Sequence, residues 1–133
     1  MPMRAERRYV DRKFVGYIEI ADLTSLSNYR VIANQGAIVN ASTEGFMVQL
    51  NCEDLIAEEL RSSLSLDSLV GQQVALFLPQ MNLDLDGTIN RAAHIGKGCF
   101  EVSIMFSRDI PEYWCECFID LLPLPGEIIK EKE

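Results

Sequence analysis

The sequence predicts a mainly-β domain, an antiparallel barrel or sandwich with a helix packed on or beside it at the C-terminal end. Three observations carry this expectation. Short segments rich in apolar and β-branched residues fill the first two-thirds of the chain, turn signals separate them every ten residues or so, and one amphipathic helical pattern follows. A length of 133 residues suits one domain with one core, and no repeat, low-complexity tract or Pro/Gly-rich linker divides it.

Taken in order, Phe14 to Ile20 is aromatic and β-branched and reads as the first strand. Tyr29 to Ala33 and Ala37 to Val39 read as two short strands, and Gly45 to Leu50 as a strand fed by a glycine turn. Gln73 to Leu78 is stopped by Pro79. Gly87 to Ile95 and Cys99 to Phe106 flank Gly96-Lys97-Gly98, a hairpin signal. The preceding Asp84-Leu85-Asp86-Gly87 reads as turn chemistry before a strand.

Two segments break the β pattern. Asn51 to Leu64 contains good helix formers with Asn51 as a cap and acids in the first turn, so a helical insertion is expected there, with the remainder running to Gly71. Asp109 to Leu122 is the clearer helix. Ile110, Trp114, Cys117, Phe118 and Leu121 form one apolar stripe at helical spacing, Glu112, Glu116 and Asp120 form an acidic row, and Pro123 and Pro125 end the pattern.

Composition narrows the function. A chain with 48% hydrophobic and 24% charged residues can build a core and is not of the disordered class. No stretch reaches the roughly 18 apolar residues of a membrane helix. No apolar signal core follows the basic N-terminus, so a cytoplasmic protein is expected. Cys52, Cys99, Cys115 and Cys117 lack the spacing of a disulfide framework and read as reduced thiols in the core. A single histidine, His94, and no nucleophile–base pairing leave no catalytic set, so an enzyme is not expected, nor a metal or cofactor.

The net charge of −8 argues against general nucleic-acid binding. Its placement is uneven. Residues 1–13 hold five basic side chains against Glu6 and Asp11, a local charge of +3, which leaves −11 on the other 120 residues. A small basic arm on an acidic body suits a compact anionic ligand.

Two segments offer the chemistry for such a ligand. In Arg7-Arg8-Tyr9-Val10-Asp11-Arg12, arginines four apart share one side of the chain, roughly 13 Å apart if extended. A guanidinium can fork onto the O6/N7 edge of guanine, pair with a phosphate, or stack on a base. In Asn40-Ala41-Ser42-Thr43-Glu44-Gly45, Asn40 and Ser42 alternate onto one face with donor and acceptor capacity, and Gly45 permits close approach to the backbone.

Together these segments resemble the two-part signature of PilZ domains: Arg-x-x-x-Arg in an N-terminal switch, then Asp/Asn-x-Ser-x-x-Gly at the start of a later barrel strand. The resemblance covers roughly residues 7–122. It implies a six-stranded antiparallel PilZ-like β-barrel with a C-terminal helix, a basic switch over residues 1–13, the barrel and helix over 14–122, and a tail over 123–133. It further implies a bacterial second-messenger receptor that binds cyclic di-GMP, as a monomer or stacked dimer, through Arg8, Arg12, Asn40, Ser42 and Gly45, with Arg7 auxiliary. Arg4 and Arg8 fit the first motif as well as Arg8 and Arg12 do. With no output domain in the sequence, the expected action is a ligand-driven ordering of the arm that is relayed to a partner protein or to a second copy. The alternative is a PilZ-like protein–protein adaptor that has lost nucleotide binding.

Overall fold

The structure is a computed structural model that describes residues 13–61 and 66–122, with side chains from residue 18 onward. Six strands close a barrel in the order β1-β2-β3-β6-β5-β4. They run Lys13–Ser25 (β1), Val31–Ser42 (β2), Gly45–Asn51 (β3), Gln73–Leu78 (β4), Leu83–Gly96 (β5) and Cys99–Phe106 (β6), and β4 pairs with β1 to complete the ring. All pairings are antiparallel. A one-turn helix, α1 (Glu58–Arg61), lies between β3 and β4, and the helix α2 (Glu112–Leu121) follows β6. The mainly-β reading, the barrel, the C-terminal helix and the small helical insertion are therefore all present.

The side-chain pattern explains how long strands bend into a closed ring. On β1, Ile18 and Ile20 point inward at even positions, yet the next inward residue is Leu23. The change of phase falls at Asp22, whose φ of 55° is a conformation aspartate tolerates. The pairing slips against β4 between Ala21 and Thr24 and against β2 between Leu23 and Thr24, and the Thr24 hydroxyl donates to the Asp22 carbonyl at 2.7 Å. This bulge bends β1 while keeping its apolar residues inside.

β6 is approached closely from both sides. A Cβ at Gly45 of β3 would collide with the Ile104 carbonyl oxygen, and one at Gly87 of β5 with the Met105 carbonyl oxygen. Both positions therefore require the smallest residue. Inside the ring, Phe46, Val48, Leu50, Leu76, Ile89, Phe100, Val102 and Ile104 pack with Phe118 and Ile119 from α2. Phe106 bridges barrel and helix, with its ring 5.5 Å from Phe46 and 6.0 Å from both Trp114 and Phe118.

Several expected elements are redrawn. The segments read as two strands, Tyr29–Ala33 and Ala37–Val39, join as β2, because Gln35 and Gly36 stay in the ladder opposite Ala21 and Ile20. Asp84 to Gly87 is strand rather than turn: Asp84 and Asp86 are exposed while Leu85 is buried between them. Within Asn51–Leu64 the described helical structure is a 310 turn, Cys52–Asp54, and then α1. A continuous helix is interrupted where Leu55 enters the core and pairs with Ala33, with Ile56 donating its N–H to the Ile32 carbonyl.

The apolar face of α2 is also rotated from the one expected. Cys115, Phe118, Ile119 and Leu122 are buried, Trp114 is half-buried, and Cys117 and Leu121 are exposed. Of the four cysteines only Cys115 is a core thiol; Cys52 and Cys99 are half-buried.

Candidate ligand-binding site

The Asn40–Gly45 segment is the corner joining β2 to β3. Ser42 pairs with Gly45 across a two-residue loop, Thr43-Glu44. The Ser42 hydroxyl accepts the Glu44 N–H at 3.1 Å, closing the turn from within, and the Glu44 carbonyl accepts the Phe106 N–H at 2.9 Å, tying the corner to β6. Ser42 is 2% exposed, and Gly45 lies against the β6 backbone.

Asn40 stands outside the turn. It is 7% exposed, and its side-chain amide donates to the Met47 sulfur at 3.7 Å, a weak acceptor. By strand alternation Asn40 and Ser42 lie on the face opposite Ala41, which belongs to the core cluster. That alternation has just been reset. Pairing of β2 with β3 shifts between Ile38 and Asn40, and pairing of β1 with β2 shifts between Phe14 and Ile18. Two ladder irregularities thus meet at this corner, where a bulge re-aims the side chains beyond it.

The same corner receives the start of β1. Lys13 pairs with Ala41 and Phe14 with Asn40. The sequence-predicted arginines Arg7, Arg8 and Arg12, with the alternative Arg4, lie outside the described residues. The structure therefore brings together Asn40, Ser42 and Gly45 and gives the point at which the chain from Arg12 enters the barrel.

A cleft of about 510 Å3 that was not singled out from the sequence is lined from β4 and β5 by Gln73, Asp86, Gly87 and Thr88. Met105, the cross-strand partner of both Gly45 and Thr88, lines it, as do Phe106, Ser107 and Arg108. Arg108 is an exposed cation on the link from β6 to α2. The sequence signal was the polar run Ser107-Arg108-Asp109 directly after a strand, which looks ordinary until the barrel sets it in one cleft with Asp86 and Thr88.

The remaining reactive groups do not converge. Among the described residues no group of three or more His, Cys, Asp or Glu side chains is placed to hold a metal ion. His94 sits exposed on β5 with its ring 5.1 Å from Phe100. The Cys99 thiol pKa is raised by burial and then by the Glu101 carboxylate. That of Cys115 is raised by burial and then by Glu112 and Glu116, with its backbone hydrogen bond opposing. Neither environment favours a thiolate. Among the described residues no helix is long and apolar enough to cross a membrane.

The fold and the corner define the class: a closed six-stranded antiparallel barrel with a C-terminal helix and a polar, irregular β2–β3 corner at the entry of the N-terminal segment. No protein-family model matches the sequence, and no curated protein matches it.

Proposed function

We propose that this chain is a PilZ-like sensor of cyclic di-GMP, acting in a bacterial cytoplasm without catalysis. The observation that supports it most is the register at the corner. Lys13, which follows Arg12 in the sequence, pairs with Ala41, between Asn40 and Ser42.

In this reading Arg8 and Arg12 supply charge-assisted bonds to phosphate and guanine, with Arg7 auxiliary. Asn40 and Ser42 add neutral hydrogen bonds to the base or backbone, and the bare backbone at Gly45 lets the ligand approach closely. The ligand neutralises the +3 charge of residues 1–13, and the altered surface is what a partner protein reads.

Calorimetric titration of the purified chain with cyclic di-GMP, GTP and cyclic AMP tests the proposal. Saturable binding of cyclic di-GMP with at least about tenfold preference over the other two is expected. Absence of binding would leave the PilZ-like adaptor reading in its place.

A further inference from the structure

One apolar stripe of α2 does not enter the core. Tyr113, Cys117 and Leu121 recur every four residues on the outer side of α2; Tyr113 is 70% and Leu121 67% exposed. They cover about 12 Å along the helix axis, from its rise of about 1.5 Å per residue. Trp114 joins this strip to a cleft of about 440 Å3 whose other walls include Leu85, Ile110 and Pro111. Acidic groups border the strip on both sides. Glu112, Glu116 and Asp120 run along α2 on one flank, and Asp84, Asp86 and Asp109 edge the cleft on the other.

We infer that this strip and cleft dock a basic amphipathic helix of another protein. Its apolar side chains would lie along Tyr113, Cys117 and Leu121, one would enter the cleft beside Trp114, and its flanking lysines or arginines would meet the two acidic borders. Charge decides the occupant. A second copy would set six carboxylate side chains against six of the same sign, whereas a cationic helix is attracted from both flanks. The helical form follows from spacing, since apolar ridges four residues apart interdigitate with the same ridges on a partner helix. The surface lies on the described residues and stands independently of nucleotide binding.

Trp114, the single tryptophan, reports on occupancy directly. The probe is a synthetic helical peptide of lysines with leucines at i, i+4, i+8 and i+11. Two controls accompany it, one with the leucines replaced by glutamine and one with the lysines replaced by glutamate. The leucine–lysine peptide should shift Trp114 emission to shorter wavelength. Its affinity should fall at least about tenfold in Leu121→Asp and in Tyr113→Asp, both fully folded by circular dichroism. It should also fall in the triple variant Glu112→Gln, Glu116→Gln, Asp120→Asn. Equal binding of the glutamine control would reduce the site to charge alone and overturn the inference, as would equal binding of the glutamate control. So would wild-type affinity in Leu121→Asp. Self-association in sedimentation equilibrium that Leu121→Asp abolishes would assign the face to a second copy instead.

Discussion

Two hairpins of this barrel have the same loop length and opposite character. Lys97-Gly98 joins β5 to β6, and Thr43-Glu44 joins β2 to β3. At the first, φ is 58° at Lys97 and 73° at Gly98, the backbone of a turn whose twist matches its strands, and Lys97 is exposed. At the second, neither loop residue has positive φ; the turn is closed by the buried Ser42 hydroxyl and anchored through Glu44 to β6. The first hairpin is closed by backbone conformation, and its Gly98 carbonyl accepts the Cys52 N–H at 2.7 Å, tying it to the 310 turn. The second adds buried polar side chains: Ser42 closes the turn, and Asn40 donates to the Met47 sulfur. Ser42 and Gly45 each have a reason to be present in the fold itself, so their substitution tests the corner and the arginines test the proposed ligand.

The largest effect should come from Gly45→Val. A β-branched side chain there meets the Ile104 carbonyl and the Met105 backbone, which can yield only by moving a strand. A loss of at least about 3 kcal/mol is expected in urea denaturation, and nucleotide binding should disappear with the fold. Wild-type stability in this variant would show that the corner relaxes there, and Gly45 would then be needed for the ligand alone.

Next are the arginines. Arg8→Ala and Arg12→Ala should each weaken cyclic di-GMP binding by about 1.5–3 kcal/mol, or roughly 10–150-fold, with the urea midpoint unchanged. Unchanged affinity in both variants removes the assignment. An effect confined to Arg4→Ala would move the working pair by one motif register.

Asn40→Ala should lower affinity for cyclic di-GMP. Loss of one neutral hydrogen bond weakens binding by about 1 kcal/mol, while Ser42→Ala should lower stability by about the same amount through the opened turn. Cyclic di-AMP should bind far more weakly than cyclic di-GMP, because adenine presents an amino donor where guanine presents O6. Equal affinity for the two dinucleotides would make the basic arm a general anion trap and erase the contrast between the hairpins.

How much of this was legible depended on how far away the determining contact lies. The Gly96–Gly98 turn could be read locally because its constraint is local: consecutive residues of positive φ. The Asn40–Gly45 motif was legible as chemistry. That Gly45 is also fixed by β6 was not, because Ile104 and Met105 lie some 60 residues onward and only the barrel brings them together. Asp84 to Gly87 misled for the same reason. Its Asp-Gly pair resembles a turn, yet Gly87 accommodates the opposite side of β6 within a strand. On α2 the spacing gave the helix, the buried Phe118 and the half-buried Trp114, but Cys117 and Leu121 of the same stripe are exposed. Two apolar faces compete there, and the packing of Phe118 and Ile119 against the barrel decides between them.

The smallest effect expected tests the plainer hairpin. Lys97 holds a left-handed backbone that an L-residue with a long side chain adopts at roughly 1 kcal/mol of strain. Asparagine tolerates this conformation better and favours the first position of such a turn, without the extra unfolded-state entropy that glycine brings. Lys97→Asn should therefore stabilise the barrel by about 0.5 kcal/mol, a rise of roughly 2 °C in Tm for a domain of this size. Cyclic di-GMP affinity should stay unchanged, because nothing in the Lys97 turn is asked to touch the ligand. Differential scanning calorimetry with a parallel titration reads both quantities. A change in nucleotide affinity in this variant would mean that the charge at this turn reaches the ligand, and the division between a turn made only of backbone and a turn that also recognises would have to be given up.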